Sequence, residues 1–272
     1  MVFAAGSRRM KDDMAFVLGI DLGSGYSKAV VCEGGVARSH AVMASGGNYK
    51  DTARAVSETA LQKINLSRDD IRYTLATGYG AGMVDFADET MTDISCHGSG
   101  IHHVFPSVRT LIDIGAQFSR VIRVNDEGRV TFFVMNEKCA GGSGKFLQVI
   151  ARILKISLEE ISELSLTAVR PVEFTTGCAV FAESEAVSRI AEGALPGDIL
   201  AGIHKAMASK IMTLVTRVGL EEDCAVTGGG AKDLGLVKAI GAELGIDVLV
   251  ADEPQITAAL GAALLASERI TR

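Results

Sequence analysis

Two segments of the chain share one order of residues, and this repeat limits the fold more than any other feature. The first runs from Ala15 to Val31 and the second from Thr110 to Ile122. Each contains an apolar stretch, an aspartate (Asp21 or Asp113), a glycine turn and a returning apolar stretch. The aspartates are 92 positions apart (113 minus 21). We therefore expect an internal duplication of one structural unit that carries a β-hairpin in each copy.

The turns of these hairpins are suited to a polyphosphate. Glycine lets the backbone approach closely, and N–H groups and small hydroxyls can then surround a phosphate. Asp21 is suited to hold Mg²⁺ through water, and Asp113 to orient an attacking water or hold the metal's water shell. An ordinary glycine-rich hairpin is the simpler alternative. The expected phosphate contacts are Gly23, Ser24, Gly25, Ser27, Lys28, Gly115 and Ala116.

A run of three glycines near the end of the chain favours a nucleotide base and ribose. Residues 225–227 are an apolar strand, and Gly228, Gly229, Gly230 and Lys232 lead into a helical pattern. Such a turn allows a ligand to approach the backbone closely at a helix start. The run is not GxGxxG, so it does not support a dinucleotide fingerprint.

The cysteines point to a shared metal site rather than to disulfides. Their number is five and no CxxC occurs, which argues against a disulfide framework and favours a reducing cytoplasm. Cys139 and Cys178 each precede a helical pattern, and a helix N-terminus stabilises a thiolate. Two thiolates cannot complete a four-thiolate iron–sulfur site, but two chains around a two-fold axis can. The alternative is two small buried hydrophobic residues.

Composition and patterning exclude several classes of function. The net charge is -6 and no Lys/Arg run stands out, so nucleic acid is not an expected partner. No run reaches the roughly 18 apolar residues of a membrane span. Cys96 beside His97 invites a catalytic or metal interpretation, but neighbours in sequence do not usually face each other, so we interpret them as packing residues.

The patterns also divide the chain. Residues 1–14 lack the apolar core of an export signal and are expected to be a disordered extension. We expect a first lobe over 15–105 and a second over 106–272. The final helix, expected near Ile256–Ser267, contains small residues that permit tight packing, and it can return to the first lobe.

These motifs together resemble the actin-like ATPase superfamily, which also contains sugar kinases. Within it, the chain is similar to the activators of 2-hydroxyacyl-CoA dehydratases and the ATP-binding subunits of benzoyl-CoA reductase. The resemblance covers about 17–266. The residues that carry it are Gly19–Ser24, Ile94–His97, Asp113–Gln117, Lys138–Gly144 and Gly177–Glu185.

The resemblance implies an α/β fold of the duplicated, ribonuclease H-like type, with two lobes around a nucleotide cleft. It implies a [4Fe-4S] cluster held by Cys139 and Cys178 of two subunits, in a homodimer or a heterodimer with a homologous ATPase subunit. ATP and Mg²⁺ are the other expected cofactors, with Asp21, Asp113 and Gln117 as catalytic residues. Hydrolysis would drive single electrons from a ferredoxin-like donor into an acyl-CoA reductase or dehydratase.

One departure from the activator pattern affects the choice between these partners. Activators tend to continue the second motif as Asp-Ile-Gly-Gly-Gln-Asp, whereas this chain has Ala116 and Phe118 at the fourth and sixth positions. We therefore expect a benzoyl-CoA reductase subunit, with the dehydratase activator as the alternative. A small-molecule kinase with Asp113 as base and a nucleotide-dependent scaffold without catalysis remain as alternatives of other classes.

Overall fold

The computed structural model describes residues 15–136, 141–174 and 179–271, with only the backbone described at 179 and 180. The expected extension 1–14 and both Cys139 and Cys178 lie outside the described residues. The strands are β1 Phe16–Leu22, β2 Tyr26–Glu33, β3 Val36–Ala44, β4 Ile71–Thr77, β5 Glu89–Thr90, β6 Thr110–Ile114, β7 Ser119–Val124, β8 Val130–Met135, β9 Cys224–Thr227 and β10 Leu249–Val250.

The described chain contains α-helices in both halves, and four of them follow one another between β8 and β9. None of the described helices has both the length and the apolar character needed to span a bilayer. The helices are α1 Tyr49–Gln62, α2 Asp93–Val104, α3 Gly144–Leu154, α4 Leu158–Leu166, α5 Ala179–Ala191, α6 Pro196–Val218, α7 Leu234–Leu244 and α8 Thr257–Thr271.

The described chain divides into two compact units. Unit 1 comprises 15–106, 126–130 and 256–271, and unit 2 comprises 107–125 and 131–255. The final helix, α8, therefore belongs to unit 1. Each unit is built on one five-stranded mixed sheet.

The two sheets repeat one connectivity. In unit 1 the order is β3-β2-β1-β4-β5, and in unit 2 it is β8-β7-β6-β9-β10. The central strand (β1 or β6) pairs antiparallel with its hairpin partner on one side and parallel with β4 or β9 on the other. The outermost strand, β5 or β10, is again parallel to its neighbour. The predicted duplication is thus confirmed by strand order and pairing.

The core of unit 2 lies between its sheet and a group of helices. Phe146 and Ile150 of α3 and Ile203 and Met207 of α6 are almost completely buried. They belong to the same apolar cluster as the inward side chains of β6 and β9. The helix α3 is strongly amphipathic, so its apolar face packs into this cluster while Lys145 and Arg152 stay outside it. This packing fixes where α3 begins, directly after the first cysteine motif.

Unit 1 depends on contacts between helix backbones and glycines. A Cβ added at Gly261 would lie 1.7 Å from the Cys96 carbonyl oxygen, and one at Gly100 would lie 2.1 Å from the Thr257 oxygen. Helices α2 and α8 therefore touch through their backbones. Gly19 on β1 approaches the Ala259 oxygen in the same way, with 2.1 Å to an added Cβ. Any side chain at these positions would force a helix away from its neighbour.

We predict that Gly261→Ala destabilises the protein by about 1–3 kcal/mol, since the added methyl group has no space. Urea unfolding at equilibrium measures the change. The matched control is Gly47→Ala, because nothing lies within 4 Å of an added Cβ there. Equal stability of the two variants would show that α2 and α8 are not held in backbone contact.

Candidate functional site

The first hairpin places a carboxylate and an ammonium group side by side. Asp21 near the end of β1 is opposite Lys28 on β2. Lys28 Nζ donates to Asp21 Oδ2 at 2.7 Å, and both side chains are largely buried. Removing either partner would leave an uncompensated charge in a poorly hydrated place. The pair therefore holds the Asp21 carboxylate in one orientation.

The second hairpin repeats this arrangement with an arginine. Asp113 on β6 is opposite Arg120 on β7, in the same register as Asp21 and Lys28. Arg120 Nε lies 3.9 Å from Asp113 Oδ2, and Asp113 is only 3% exposed. Arg120 is not among the residues predicted from the sequence. The available signal was its position seven residues after the aspartate, the spacing of Lys28 from Asp21.

A glycine at positive φ covers each aspartate. Gly78 follows β4 with φ +88°, and Gly228 follows β9 with φ +83°. A Cβ on Gly78 would lie 2.3 Å from Asp21 Oδ1, and one on Gly228 would lie 2.5 Å from Asp113 Oδ1. Both positions therefore require glycine for two reasons. The positive φ strains other residues, and a side chain would collide with the carboxylate oxygen.

These two glycines belong to a second repeat, which was not predicted from the sequence. The loops read Thr-Gly-Tyr-Gly-Ala over 77–81 and Thr-Gly-Gly-Gly-Ala over 227–231. Thr77 is the parallel partner of Asp21, and Thr227 is the parallel partner of Asp113. Each threonine hydroxyl is buried and donates to a carbonyl oxygen, that of Met91 or Pro254. Each unit therefore contains an aspartate hairpin and a Thr-Gly loop that meet at the carboxylate.

The turn of the first hairpin is supported from β3. Ser45 Oγ donates to the Gly23 oxygen at 2.6 Å, and Ser27 Oγ lies 2.8 Å from Ser45 Oγ. Because Ser45 uses its hydrogen on Gly23, Ser27 donates to Ser45. The predicted phosphate contact Ser27 is completely buried. It supports the turn, while Gly23, Ser24 and Gly25 form the turn itself.

The turn of the second hairpin is bonded to the start of α3. The N–H groups of Gly144 and Lys145 donate to the oxygens of Gly115 and Ala116, at 2.9 and 2.8 Å. Orphan N–H groups at a helix N-terminus thus find their acceptors in this turn. Gly115 N–H also donates across the turn to the Phe118 oxygen at 2.9 Å. The predicted catalytic Gln117 is exposed.

The three-glycine run forms a short 3₁₀ helix, Gly229–Lys232, beside β6. Gly228 N–H donates to the Pro254 oxygen at 3.0 Å. Gly230 packs against the Ile114 side chain, where an added Cβ would lie 2.3 Å from Ile114 Cγ2. Gly229 and Lys232 are exposed, so they are the members of the run that a ligand can reach from solvent.

A buried polar pair anchors the end of this run. His204 Nε2 on α6 lies 2.8 Å from Asp233 Oδ2, and both residues are buried. Asp233 Oδ1 also accepts from Leu236 N–H and caps α7. From the sequence alone, His204 is simply a surface or core histidine. Its partner is recognisable only in the fold, where the chain turn brings Asp233 against α6.

The three described cysteines are core residues. Burial raises the pKa of Cys32, Cys96 and Cys224 to about 12, so these thiols stay protonated near neutral pH. Cys96 and its neighbour His97 are both buried in α2. Within the ranges that the structure describes, no group of three or more His, Cys, Asp or Glu side chains could hold a metal ion.

The chain is similar to known ATPases over almost its whole length. Residues 18–266 match the model of the BadF/BadG/BcrA/BcrD ATPase family. The activator of lactoyl-CoA dehydratase from Anaerotignum propionicum is 42% identical, with 93% of this chain and 98% of the relative covered. A benzoyl-CoA reductase subunit from Thauera aromatica is 33% identical, with 84% and 82% covered.

Two solved structures extend the comparison to the fold. Component A of (R)-2-hydroxyglutaryl-CoA dehydratase from Acidaminococcus fermentans has a TM-score of 0.92 at 36% identity, covering 95% of this chain and 100% of that one. The activator of 2-hydroxyisocaproyl-CoA dehydratase from Clostridium difficile, solved with bound ADPNP, has a TM-score of 0.91 at 37% identity, covering 94% and 95%.

We predict that Gly78→Ala lowers the rate of ATP hydrolysis at least about tenfold, because the added methyl group, 2.3 Å from Asp21 Oδ1, would displace the carboxylate by about 1 Å. Steady-state phosphate release measures the rate. The matched control is Gly82→Ala in the same loop, where nothing lies within 4 Å of an added Cβ. Equal rates of phosphate release for both variants would show that the Asp21 carboxylate takes no part in hydrolysis.

Proposed function

Because the chain belongs to the BadF/BadG/BcrA/BcrD ATPase family, we propose that it is an ATP-hydrolysing activator that delivers single electrons to a 2-hydroxyacyl-CoA dehydratase. The observation that carries this choice is the 42% identity, over nearly the full length of both chains, to a lactoyl-CoA dehydratase activator. The expected partners are the dehydratase's catalytic subunits and a ferredoxin-like donor, in the cytoplasm.

The duplicated aspartates carry the nucleotide chemistry in this proposal. The aspartate of each unit offers carboxylate oxygens of the kind that Mg²⁺ prefers, and a bound Mg²⁺ would neutralise the developing phosphate charge. Asp113 orients the attacking water, and Gln117 is exposed in the turn that follows β6. Lys28 and Arg120 hold the two carboxylates from across their hairpins. The glycines of both turns and the exposed Gly229 leave the backbone open to the nucleotide.

Cys139 and Cys178 are the proposed ligands of a [4Fe-4S] cluster. The donor set fits the group by its chemistry, because two thiolates from each of two chains make the four that such a cluster takes. The described helices α3 and α5 begin at Gly144 and Ala179, shortly after these cysteines. Because Cys178 directly precedes α5 in the chain, the positive end of that helix would favour its thiolate form. A bound cluster would accept and release one electron at a time.

Exposed apolar side chains on α5 support the pairing of two chains. Among its described side chains, this helix buries only Ala182 and Ala186. Its larger apolar side chains Phe181, Val187 and Ile190 are 67%, 53% and 41% exposed. Exposed apolar groups of this size on one helix are typical of a protein interface. Since α5 begins directly after Cys178, an interface here would bring the cysteines of two chains together.

The comparisons change the preferred electron acceptor. The sequence favours a benzoyl-CoA reductase subunit because Phe118 replaces the acidic residue of the activators. The reductase subunit is 33% identical to this chain, whereas the lactoyl-CoA dehydratase activator is 42% identical. Similarity over the whole chain outweighs one residue in a turn. Phe118 is only partly exposed, and its carbonyl closes the turn whatever the side chain is.

We predict about two irons and two acid-labile sulfides per chain after anaerobic purification, because one four-iron cluster is shared by two chains. Cys139→Ser should lose this iron and still bind ATP. The matched control, Cys224→Ala, removes a buried core thiol and should keep the iron. Four irons per chain would exclude the shared site, and no iron after reconstitution would favour the kinase interpretation.

We predict that the reduced protein supports 2-hydroxyacyl-CoA dehydration when it is mixed with ATP, Mg²⁺, dithionite and a dehydratase's catalytic subunits. Turnover should cease without ATP and with Asp21→Asn, which weakens the metal-binding carboxylate but leaves the iron content unchanged. Benzoyl-CoA reduction with reductase catalytic subunits, and no dehydration, would instead identify the reductase as partner. ATP binding without turnover in either mixture would favour the scaffold.

A further inference from the structure

The hairpin of β6 and β7 is bonded to the segment before α3 through a side chain as well as through the N–H groups at the start of that helix. Ser119, the first residue of β7, donates through Oγ to the Gly142 oxygen. Its own carbonyl oxygen accepts from Asn136 N–H at 2.9 Å. Ser119 is 1% exposed. One buried residue of the hairpin thus bonds to the described chain on both sides of residues 137–140.

Backbone hydrogen bonds reinforce this connection. The Gly144 and Lys145 N–H groups reach Gly115 and Ala116, so the turn holds the first residues of α3 directly. An added Cβ at Gly144 would lie 3.3 Å from the Gly115 oxygen, which shows how closely the two backbones pack. A shift of the turn therefore cannot occur without a shift of the helix start or the loss of several hydrogen bonds.

The equivalent turn in unit 1 is supported differently. There the hydroxyl of Ser45, from the end of β3, bonds to Gly23, and no described helix N-terminus donates to residues 23–25. The two hairpins are otherwise alike in register and in their aspartate–base pairs. The connection to a helix is thus a feature of the second hairpin, and α3 is the helix that follows Cys139 in the chain.

We propose that Ser119 is a positioning residue that transmits the state of the nucleotide from the turn 115–118 to the start of α3. The inference rests on the proposed function, in that the turn must bind the phosphates of ATP. We call the hydrogen bonds between this hairpin and residues 142–145 the link. The Ser119 hydroxyl is its side-chain part, and the N–H groups of Gly144 and Lys145 are its backbone part. We expect neither part to contact the nucleotide directly.

The test compares Ser119→Ala with Ser119→Thr, which keeps a hydroxyl. Hydrogen exchange of backbone amides 141–150 is followed by mass spectrometry with and without a non-hydrolysable ATP analogue and Mg²⁺. In the wild-type protein the analogue should slow exchange in this segment at least about fivefold. Ser119→Ala should lose at least about half of that response and bind the analogue with less than about a twofold change in affinity, whereas Ser119→Thr should retain the response.

A second pair of variants examines the backbone part of the link. Gly144→Pro removes the N–H that reaches Gly115, at a first helical position where proline is tolerated. Gly144→Ala keeps that N–H and serves as its control. The proline variant should also lose the response if the link is real. This pair keeps the test decisive if Ser119→Ala does not fold.

The outcomes separate this inference from the proposed function. Failure of the wild-type protein to bind the analogue would overturn both. Tight binding with no change in exchange over 141–150 would overturn the link alone. If the analogue slowed exchange over 141–150 in both Ser119→Ala and Gly144→Pro as much as in the wild-type protein, the link would also be overturned, because each variant removes a bond that the transmission requires.

Discussion

Each unit of this protein contains a buried aspartate carboxylate that packs against a loop glycine, where any larger residue would collide with it. Asp21 and Asp113 have a basic residue on one side, across the hairpin, and a Thr-Gly loop on the other. A positive φ lets the loop glycine lie against the carboxylate oxygen. The central strand, its hairpin partner and its parallel neighbour therefore meet at one charged group. The sheet order follows from this meeting, because the loop must return beside the strand that carries the aspartate.

The duplication was predictable from the sequence only where the spacing is constant. Each hairpin has an apolar stretch, an aspartate, a glycine turn and a returning apolar stretch close together in the chain, and so local a repeat is easily recognised. The Thr-Gly loops are harder to recognise because Thr77 follows Asp21 by 56 residues (77 minus 21), whereas Thr227 follows Asp113 by 114 (227 minus 113). Tyr79 in place of the middle glycine also obscures the likeness. Arg120 was missed although it follows Asp113 by seven residues, the spacing of Lys28 from Asp21, because the two basic residues are of different types.

Local signals determined how well individual elements were predicted. The helix α1 begins at Tyr49 because the Asn48 side chain accepts hydrogen bonds from the Lys50 and Asp51 N–H groups and caps it. That cap was readable in the sequence. Strands β3 and β8 were not anticipated, since neither alternates regularly between buried and exposed residues: residues 36–38 of β3 and 131–133 of β8 are exposed in succession. Their places are set by pairing with β2 and β7, which is tertiary information.

The unequal spacing also shows where unit 2 differs from unit 1. Between β3 and β4, unit 1 has the single described α-helix α1, whereas between β8 and β9 unit 2 has α3, α4, α5 and α6. Both Cys139 and Cys178 fall within this longer crossover. The sheet and the aspartate site are common to both units, so an added crossover can carry new chemistry without disturbing them. Because its first helix is bonded to the turn that follows Asp113, the added segment is fixed at the turn for which we propose a phosphate contact.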